Sequence, residues 1–251
     1  MNCSVKALRT LSIACALAVL PLRAFAGPPF DTDDPDPTAY RNYEIYMGVT
    51  THRDGTDSTS ERPFLEVNYG LMPNVQFSVH IGDAEDTAPN APGAYGYNDS
   101  EMGVKVRFEQ ESTHAPQISF YPQVTFATGA AGVTAGHGTL FLPFWAQKTI
   151  GKVTVFGGGG FQFDRNESSS GDWQAGIAAT YPIDPSDTIG VECTRTTPSD
   201  DYQQFDAGIG FIHALGEEHE VLFSAGRSFD RQPHYRAYLA YGWLLGPDGN
   251  R

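Results

Sequence analysis

The sequence predicts an all-β fold, a closed antiparallel transmembrane β-barrel of about 12 strands of the outer-membrane type. Apolar residues alternate with small or polar ones over runs of about ten residues, the length with which a tilted strand crosses the hydrocarbon layer of a membrane. Short connections follow the even-numbered predicted strands, and longer ones follow most of the odd-numbered strands. No sustained helical periodicity occurs after residue 26.

Residues 1–26 have the features of a secretory signal peptide. Lys6 and Arg9 supply a positive beginning, an apolar run covers residues 11–20, and Ala24-Phe25-Ala26 fits the cleavage rule. The apolar run is shorter than the roughly 20 residues that a membrane-spanning helix needs. We therefore expect the mature chain to begin at Gly27 and to reach the bacterial outer membrane, in a Gram-negative cell.

Charge and cysteine content exclude several classes of protein. The signal carries three of the 16 basic residues and none of the 30 acidic ones, which leaves 13 basic against 30 acidic residues, a formal charge of −17. This balance argues against nucleic acid as a partner, because phosphate binding needs a basic surface. Cys193 is the one cysteine left after residue 26, so no internal disulfide is expected.

Residues 27–40 form an acidic, proline-rich segment, predicted to lie in the periplasm or to fold into the barrel as a plug. Its carboxylates offer oxygen ligands for calcium, but Pro35 and Pro37 interrupt the run, and the glycine and late glutamate of an EF-hand are missing. A solvated segment or a plug is therefore favoured over a metal site, and no metal or cofactor is predicted. The carboxylates belong to Asp31, Asp33, Asp34 and Asp36.

The barrel itself is predicted to occupy residues 41–251. Alternation is clearest in residues 117–127, 173–181 and 204–211, where aromatic and aliphatic residues oppose Ser, Thr, Gln and Gly. The predicted strands are 41–52, 61–71, 75–84, 101–111, 117–128, 139–150, 152–164, 172–182, 188–197, 202–214, 220–229 and 235–245.

The lengths of the connections indicate how the barrel is oriented. Short turns are predicted at residues 72–74, 112–116, 151, 183–187 and 215–219, and longer loops at 53–60, 85–100, 129–138 and 165–171. The connections after the ninth and eleventh strands are short as well. Barrels of the outer membrane place short turns at the periplasmic end and longer loops at the extracellular end.

The two faces of the predicted strands differ in composition. A soluble β-sandwich would turn its apolar face inward and its charges outward, whereas a membrane barrel reverses this arrangement. Aromatic residues near strand ends are candidates for an interfacial girdle: Tyr43, Tyr69, Trp173, Tyr181, Tyr235 and Trp243. Charged residues on the opposite face are candidates for lining the pore: Glu44, Glu66, His80, Lys105, Arg107, Glu109, Glu192 and Asp206.

Basic residues on the predicted polar face have two interpretations. Lys105 and Arg107, together with Arg195, Arg227 and Arg236, would set the selectivity of a pore. Alternatively, they pair with acidic residues across the lumen, because a buried charge must be compensated. The sequence leaves both interpretations open.

Three segments resemble a known family. They are Gly27–Pro37, with the sequence GPPFDTDDPDP, the strand Glu101–Phe108, and Leu142–Lys148 with the glycine-rich residues 151–163 that follow. They are similar to the proteobacterial outer-membrane proteins of the phenol-degradation MetA-pathway family, also labelled "transporter". The resemblance covers most of the mature chain. It implies a small outer-membrane barrel that helps organic compounds to cross the outer membrane.

The function expected from these features is that of a porin-like channel for passive uptake of small aromatic or hydrophobic compounds. Its expected partners are outer-membrane lipid, a small-molecule solute and the barrel assembly machinery, and the oligomeric state is not predicted. One alternative is a plugged structural or adhesive barrel with loops 85–100 and 129–138 as contact elements.

A second alternative is a barrel hydrolase, which would need a serine and an acid beside a histidine. None of the histidines lies in a recognisable serine motif, so no enzyme activity and no catalytic residue are predicted. The candidates are His52, His80, His114, His137, His213, His219 and His234.

Overall fold

The computed structural model describes residues 29–87, 92–134, 136–165, 171–198, 204–229 and 234–247, which form an all-β barrel. The predicted signal peptide, residues 1–26, lies outside the described residues, as do parts of five predicted connections. The strands are β1 Tyr43–Asp54, β2 Asp57–Met72, β3 Val75–Thr87, β4 Ala94–Tyr97, β5 Ser100–Glu109, β6 Gln117–Phe120, β7 Gln123–Phe126, β8 Thr139–Ile150, β9 Val153–Asp164, β10 Asp172–Pro182, β11 Asp187–Pro198, β12 Gln204–Ala214, β13 His219–Ser228 and β14 His234–Leu245.

These 14 segments build the wall of a 12-strand barrel. Both β4 and β5 pair with β3, so they are one strand interrupted at Asn98-Asp99. Likewise β6 and β7 both pair with β5 and β8 and are separated by Tyr121-Pro122. The antiparallel pairing of β1 with β14 closes the ring. The predicted fold class and the number of strands are confirmed.

The long-loop end differs from the prediction in two places. The loop expected at residues 53–60 is a two-residue turn, Gly55-Thr56, because β1 and β2 remain paired up to Asp54 and Asp57. Gly55 has a φ of 58°, which suits the tight turn. Part of the loop expected at residues 85–100 is strand β4. Backbone pairing needs no apolar alternation, so the hairpins extend beyond the residues whose pattern reveals them.

The outward face of the barrel is apolar on every side. On β14, for example, Tyr235, Leu239 and Leu245 are exposed, whereas Arg236, Ala240 and Leu244, on the inward face, are buried. Ile177 on β10 and Ile209 on β12 are 57% and 62% exposed. A water-soluble monomer rarely exposes a continuous apolar surface of this size, whereas lipid solvates it. No helix in the described ranges is long and apolar enough to cross a membrane.

The six predicted girdle residues all lie on this outward face, exposed or half-buried. Tyr43, Tyr69, Tyr181 and Trp243 lie near the short-turn end, and Trp173 and Tyr235 lie near the long-loop end. Several of their rings contact other aromatic rings: Tyr43 stacks on Tyr69 with centroids 4.5 Å apart, and Trp173 meets Phe161 edge-on at 5.3 Å.

Part of the barrel interior is apolar, which the sequence pattern does not indicate. Tyr46, Phe64, Ile212, Leu222 and Ala240 form one buried cluster on the inward faces of β1, β2 and β12–β14. Here the inward faces pack against one another as a small hydrophobic core.

We expect Ile209→Arg to destabilise the barrel by about 2–4 kcal/mol, because it places a cation at mid-strand on the lipid-facing surface. Ile209→Leu is the control and should change the free energy of unfolding little. The measurement is urea unfolding of protein refolded in phospholipid vesicles. A change below about 0.5 kcal/mol would show that this face meets water, since exposed surface substitutions in soluble proteins fall in that range.

Candidate functional site in the barrel lumen

Residues 29–38 precede β1 and lie inside the barrel, where they form an inner segment. Thr32, Asp34 and Thr38 are buried although they belong to no strand. The backbone N–H of Thr32 donates to Glu192 Oε2 on β11 at 3.1 Å, and that of Thr38 donates to Gln76 Oε1 on β3 at 2.8 Å. The inner segment therefore contacts opposite sides of the barrel wall.

The four aspartates of the inner segment all face basic side chains of the wall. Lys105 Nζ on β5 lies 3.0 Å from Asp33 Oδ1 and 4.0 Å from Asp34 Oδ1. Arg107, also on β5, pairs with Asp36. Arg236 on β14 pairs with both Asp31 and Glu192. The aspartates thus act as ion-pair partners of the wall, and the acidic segment is matched to the cations that the lumen carries.

Glycines on the inward faces of β10–β12 leave room for the inner segment. A Cβ atom on Gly190 would lie 2.7 Å from Phe30 Cζ, and one on Gly210 would lie 2.5 Å from the same atom. A Cβ on Gly176 would meet the Thr32 side chain. Real Cβ contacts are never this short, so the wall must be free of side chains at these positions for Phe30 and Thr32 to occupy their places.

Burial raises the pKa of Asp34, the Lys105 ammonium lowers it, and the nearby Asp33 and Asp36 carboxylates raise it, which together give a pKa of about 7. Burial also raises the pKa of Asp33, against the opposing effect of Lys105. Asp34 therefore binds a proton more tightly when the inner segment is seated than when it is in water. Seating of the segment is linked to protonation of Asp34.

Two cavities adjoin the inner segment within the described part of the lumen. The larger, of about 260 Å³, lies against β1, β2, β3, β5 and β8, and the smaller, of about 170 Å³, lies against β8, β10, β11 and β12. Asp31, Phe141 and Trp145 line both cavities and so lie between them. Trp145 is 5% exposed, and its Nε1 has no hydrogen-bond partner among the described residues.

The larger cavity combines carboxylates with aromatic rings. Tyr46, Tyr121 and Tyr238 contribute rings, and Lys105 lies over the Tyr121 ring with its Nζ 4.9 Å from the centroid. His80 is held between two carboxylates, 2.9 Å from Glu61 and 3.8 Å from Glu66. The carboxylates that line this cavity are Asp31, Asp33, Glu44, Glu66 and Glu101.

A continuous hydrogen-bonded line connects the inner segment to the wall below the larger cavity. The Gln76 amide nitrogen donates to Asn68 at 3.0 Å and to Ser78 at 2.9 Å, while its oxygen accepts the bonds from Thr38. The Tyr121 hydroxyl donates to Ser78 at 2.9 Å. These bonds fix the floor of the cavity in one arrangement.

The structure brings most of the pore-lining candidates into the lumen. Glu44, Glu66, His80 and Lys105 line the larger cavity and Asp206 lines the smaller one, while Glu192 is buried beneath the inner segment. Arg107 lies at the short-turn end, where its Nη2 donates to Asn74 at 2.7 Å. Glu109 is exposed at the end of β5, where a register shift pairs it with Ile118 on the outward face, and it lines neither cavity.

Two arginines that the sequence analysis placed on the polar face lie on the outward face. Arg195 pairs across strands with Phe205, and Arg227 with Ala207 and Tyr235. Arg236, by contrast, is in the lumen and makes ion pairs. Alternation within each strand explains the difference, because Arg195 and Glu192 are separated by an odd number of positions and cannot share a face.

Most of the aromatic lining of the lumen was not predicted from the sequence, although the alternation of residues 117–127 places Tyr121 on the polar face. Tyr46, Tyr121, Phe141, Trp145 and Tyr238 all point inward, although aromatics were expected mainly on the lipid face. The alternation itself contained the signal for some of them. Phe141 and Trp145 share the parity of Pro143 and Gln147, opposite the lipid-facing Leu140 and Phe144.

Comparison with known proteins gives a family and a set of similar folds. The profile of a family described as "Putative MetA-pathway of phenol degradation" matches residues 35–245. No curated protein sequence is significantly similar to the chain.

Three solved structures show the range of similar folds. The COG4313 outer membrane channel from Pseudomonas putida F1 has a TM-score of 0.67 at 13% identity, covering 87% of this chain and 100% of that one. The KdgM porin has a TM-score of 0.56 at 10% identity, covering 78% and 98%. The translocator domain of the autotransporter NalP from Neisseria meningitidis has a TM-score of 0.51 at 11% identity, covering 81% and 88%. At such low identity these likenesses show the fold alone.

We expect the inner segment to be seated more firmly at pH 5 than at pH 8. The raised pKa of Asp34 keeps its carboxyl neutral at pH 5, whereas at pH 8 a buried charge must be accommodated. The reporter is maleimide labelling of Pro29→Cys in a Cys193→Ser background. At each pH, the labelling rate of the reporter with Asp34 is divided by the rate of the same reporter with Asp34→Asn. The ionisation of the cysteine thiol affects both rates equally and therefore cancels. The ratio should be several-fold higher at pH 8 than at pH 5, and a constant ratio would contradict the linkage.

We expect Gly190→Val to displace Phe30 and the residues around it, because the new side chain would overlap the Phe30 ring. Maleimide labelling of the same Pro29→Cys reporter should rise at least about tenfold, which corresponds to an overpacking cost of roughly 1–3 kcal/mol. The control is Ala207→Val, which adds two methyl groups to the outward face of β12. Equal labelling in both variants would show that the glycine faces do not seat the segment.

Proposed function

The chain belongs to the phenol-degradation MetA-pathway family, and we propose that it is an outer-membrane channel for passive uptake of small aromatic or hydrophobic compounds. The observation that carries the proposal is the pair of cavities inside a closed barrel, with aromatic rings in their shared wall. A solute crossing the barrel would be driven by its concentration gradient, since the sequence has no nucleotide-binding motif.

The organisation of the chain follows from this function. Residues 1–26 would be the signal peptide, residues 27–40 a plug and residues 41–251 the channel wall. The ion pairs from Lys105, Arg107 and Arg236 support the plug, because they attach it to both sides of the lumen. Assembly machinery of the outer membrane would insert the barrel, and its surface aromatics would form the interfacial girdles.

The lining of the lumen supports aromatic or hydrophobic solutes over sugars. Phe141 and Trp145 offer ring faces between the two cavities, and Tyr46, a member of the buried apolar cluster, lines the larger one. The indole N–H of Trp145 lacks a partner among the described residues, so it can donate to a hydroxyl or carbonyl oxygen of a solute. Residues Glu44, Glu66, His80, Lys105, Arg107, Glu109, Glu192 and Asp206 would then set the polarity and width of the route.

A plugged structural or adhesive barrel is the second candidate. The inner segment favours it, because breaking a buried ion pair by removing one partner costs roughly 3–5 kcal/mol. Three basic residues hold this segment, and its Asp34 and Thr38 are buried. On this hypothesis the packed loop beside β4, where Ala130 N–H donates to the Tyr97 carbonyl, would be a contact surface.

We propose that the barrel has no catalytic role. Four histidines face carboxylates: His80 faces Glu61, His137 faces Asp164, His213 faces Asp187 and His234 faces Asp206. These partners explain the positions of the histidines as parts of structural ion pairs. Substrate hydrolysis that one histidine substitution abolishes would overturn this proposal.

Single-channel recording in planar bilayers tests the channel function. We expect small discrete conductance steps from the wild-type barrel, and steps several-fold larger after Asp33→Asn with Asp36→Asn, because the plug then loses two ionic attachments. Asp184→Asn, an acid in an exposed turn, is the control and should leave the steps unchanged. Heat-modifiable gel mobility verifies folding. If folded wild type and double variant both show no steps, the structural barrel is correct.

A further inference from the structure

We propose that the outward rim of β11–β14 and β1 at the long-loop end is a binding site for the phosphate groups of an outer-leaflet glycolipid. This site is separate from the lumen and does not depend on what the lumen transports. It consists of three arginines, Arg53, Arg195 and Arg227, interleaved with aromatic side chains.

Strand register places these residues side by side in two adjacent outward rows. In one row Arg227 on β13 is opposite Tyr235 on β14, which is opposite Arg53 on β1. In the other row Arg195 on β11 is opposite Phe205 on β12, whose carbonyl accepts the backbone N–H of Phe229 at 3.0 Å. Because neighbouring strands are about 4.8 Å apart, the site extends roughly 20 Å along the rim.

Aromatic rings hold the central guanidinium in place. The Arg227 Cζ atom lies 5.3 Å from the Phe229 ring centroid and 5.7 Å from the Tyr235 ring centroid. The Phe205 and Phe229 rings are themselves in contact, with centroids 6.3 Å apart. Tyr rings prefer the boundary between hydrocarbon and headgroups, so the contact of Arg227 with the Tyr235 ring puts its guanidinium at headgroup depth.

The charged side chains described on the outward face of this rim are basic, whereas the whole chain is acidic. The sequence contains 30 acidic and 16 basic residues, yet in the described part of β11–β14 and β1 the outward half nearest the long loops carries arginines and no carboxylate. Neither Arg53 nor Arg227 forms a salt bridge with any described acidic residue: Arg53 Nε donates to the Gly55 carbonyl at 3.3 Å, and Arg227 Nε to the Ser228 carbonyl at 3.2 Å.

Phosphate of a membrane lipid fits this arrangement better than a soluble anion. Guanidinium groups bind phosphate oxygens in bidentate fashion, and the flanking aromatics would contact the acyl chains of the same lipid. A free anion would gain only the charge interaction, which salt screens at an exposed position. The long loops mark this end as extracellular, so the lipid is a phosphorylated glycolipid of the outer leaflet.

Native mass spectrometry of the full-length barrel in detergent tests the site, with diphosphorylated lipid A as the probe. We expect the triple variant Arg53→Gln, Arg195→Gln, Arg227→Gln to bind this lipid at least about tenfold more weakly, since it loses three charge-assisted contacts to phosphate. The matched control is Arg41→Gln, which removes an exposed arginine beside the Tyr40 ring at the opposite rim. A second variant, Arg227→Lys, keeps the charge and should retain intermediate binding.

Two further probes distinguish the source of affinity. Dephosphorylated lipid A should bind wild type and triple variant equally, and inorganic phosphate should not compete with lipid A. Unchanged binding of diphosphorylated lipid A by the folded triple variant overturns the proposal. An equal loss of affinity for dephosphorylated lipid A in the triple variant also overturns it, because it would show apolar contact alone. Full competition by inorganic phosphate overturns it as well, because it would show a site for a free anion.

Discussion

Closure of the barrel is the constraint on which the other features of this protein depend. A strand in hydrocarbon must satisfy its backbone N–H and C=O groups within the protein, and the pairing of β1 with β14 leaves no open edge. Once the wall is closed, alternation assigns each side chain to lipid or to the lumen. The apolar outer surface and the polar interior are therefore two consequences of one hydrogen-bonded ring.

Ion pairs and wall glycines determine what occupies the lumen. An acidic segment enters the lumen where Lys105, Arg107 and Arg236 point inward, and it compensates these cations. Gly190 and Gly210 supply the space that Phe30 occupies. The packed cluster around Leu222 fills another side of the interior. The two cavities described above lie in the space that these three elements leave open, with Trp145 between them.

The acidic composition of the chain has a structural meaning in this arrangement. Many carboxylates are directed inward, where Glu44, Glu66 and Glu101 line the larger cavity. In the described part of β11–β14 and β1, the arginines of the outward surface lie near the long-loop rim. The lumen thus carries both signs of charge, whereas this outward rim carries arginines, and a strand can carry both kinds of surface because neighbouring residues face opposite sides of the wall.

The sequence by itself determined the strands, their number and the lipid-facing residues, because period-two alternation and turn chemistry are local properties of the chain. It also indicated an acidic plug and most of the charged lumen residues. Only the tertiary structure decided which acid meets which base, since Asp33 and Lys105 are 72 residues apart and Thr32 and Glu192 are 160 apart. Only the tertiary structure likewise showed that a register shift removes Glu109 from the lumen-facing residues of β5 and that Trp145 lies between the cavities. Strand register and barrel closure bring distant strands together, and both depend on pairing between segments that are far apart in the chain.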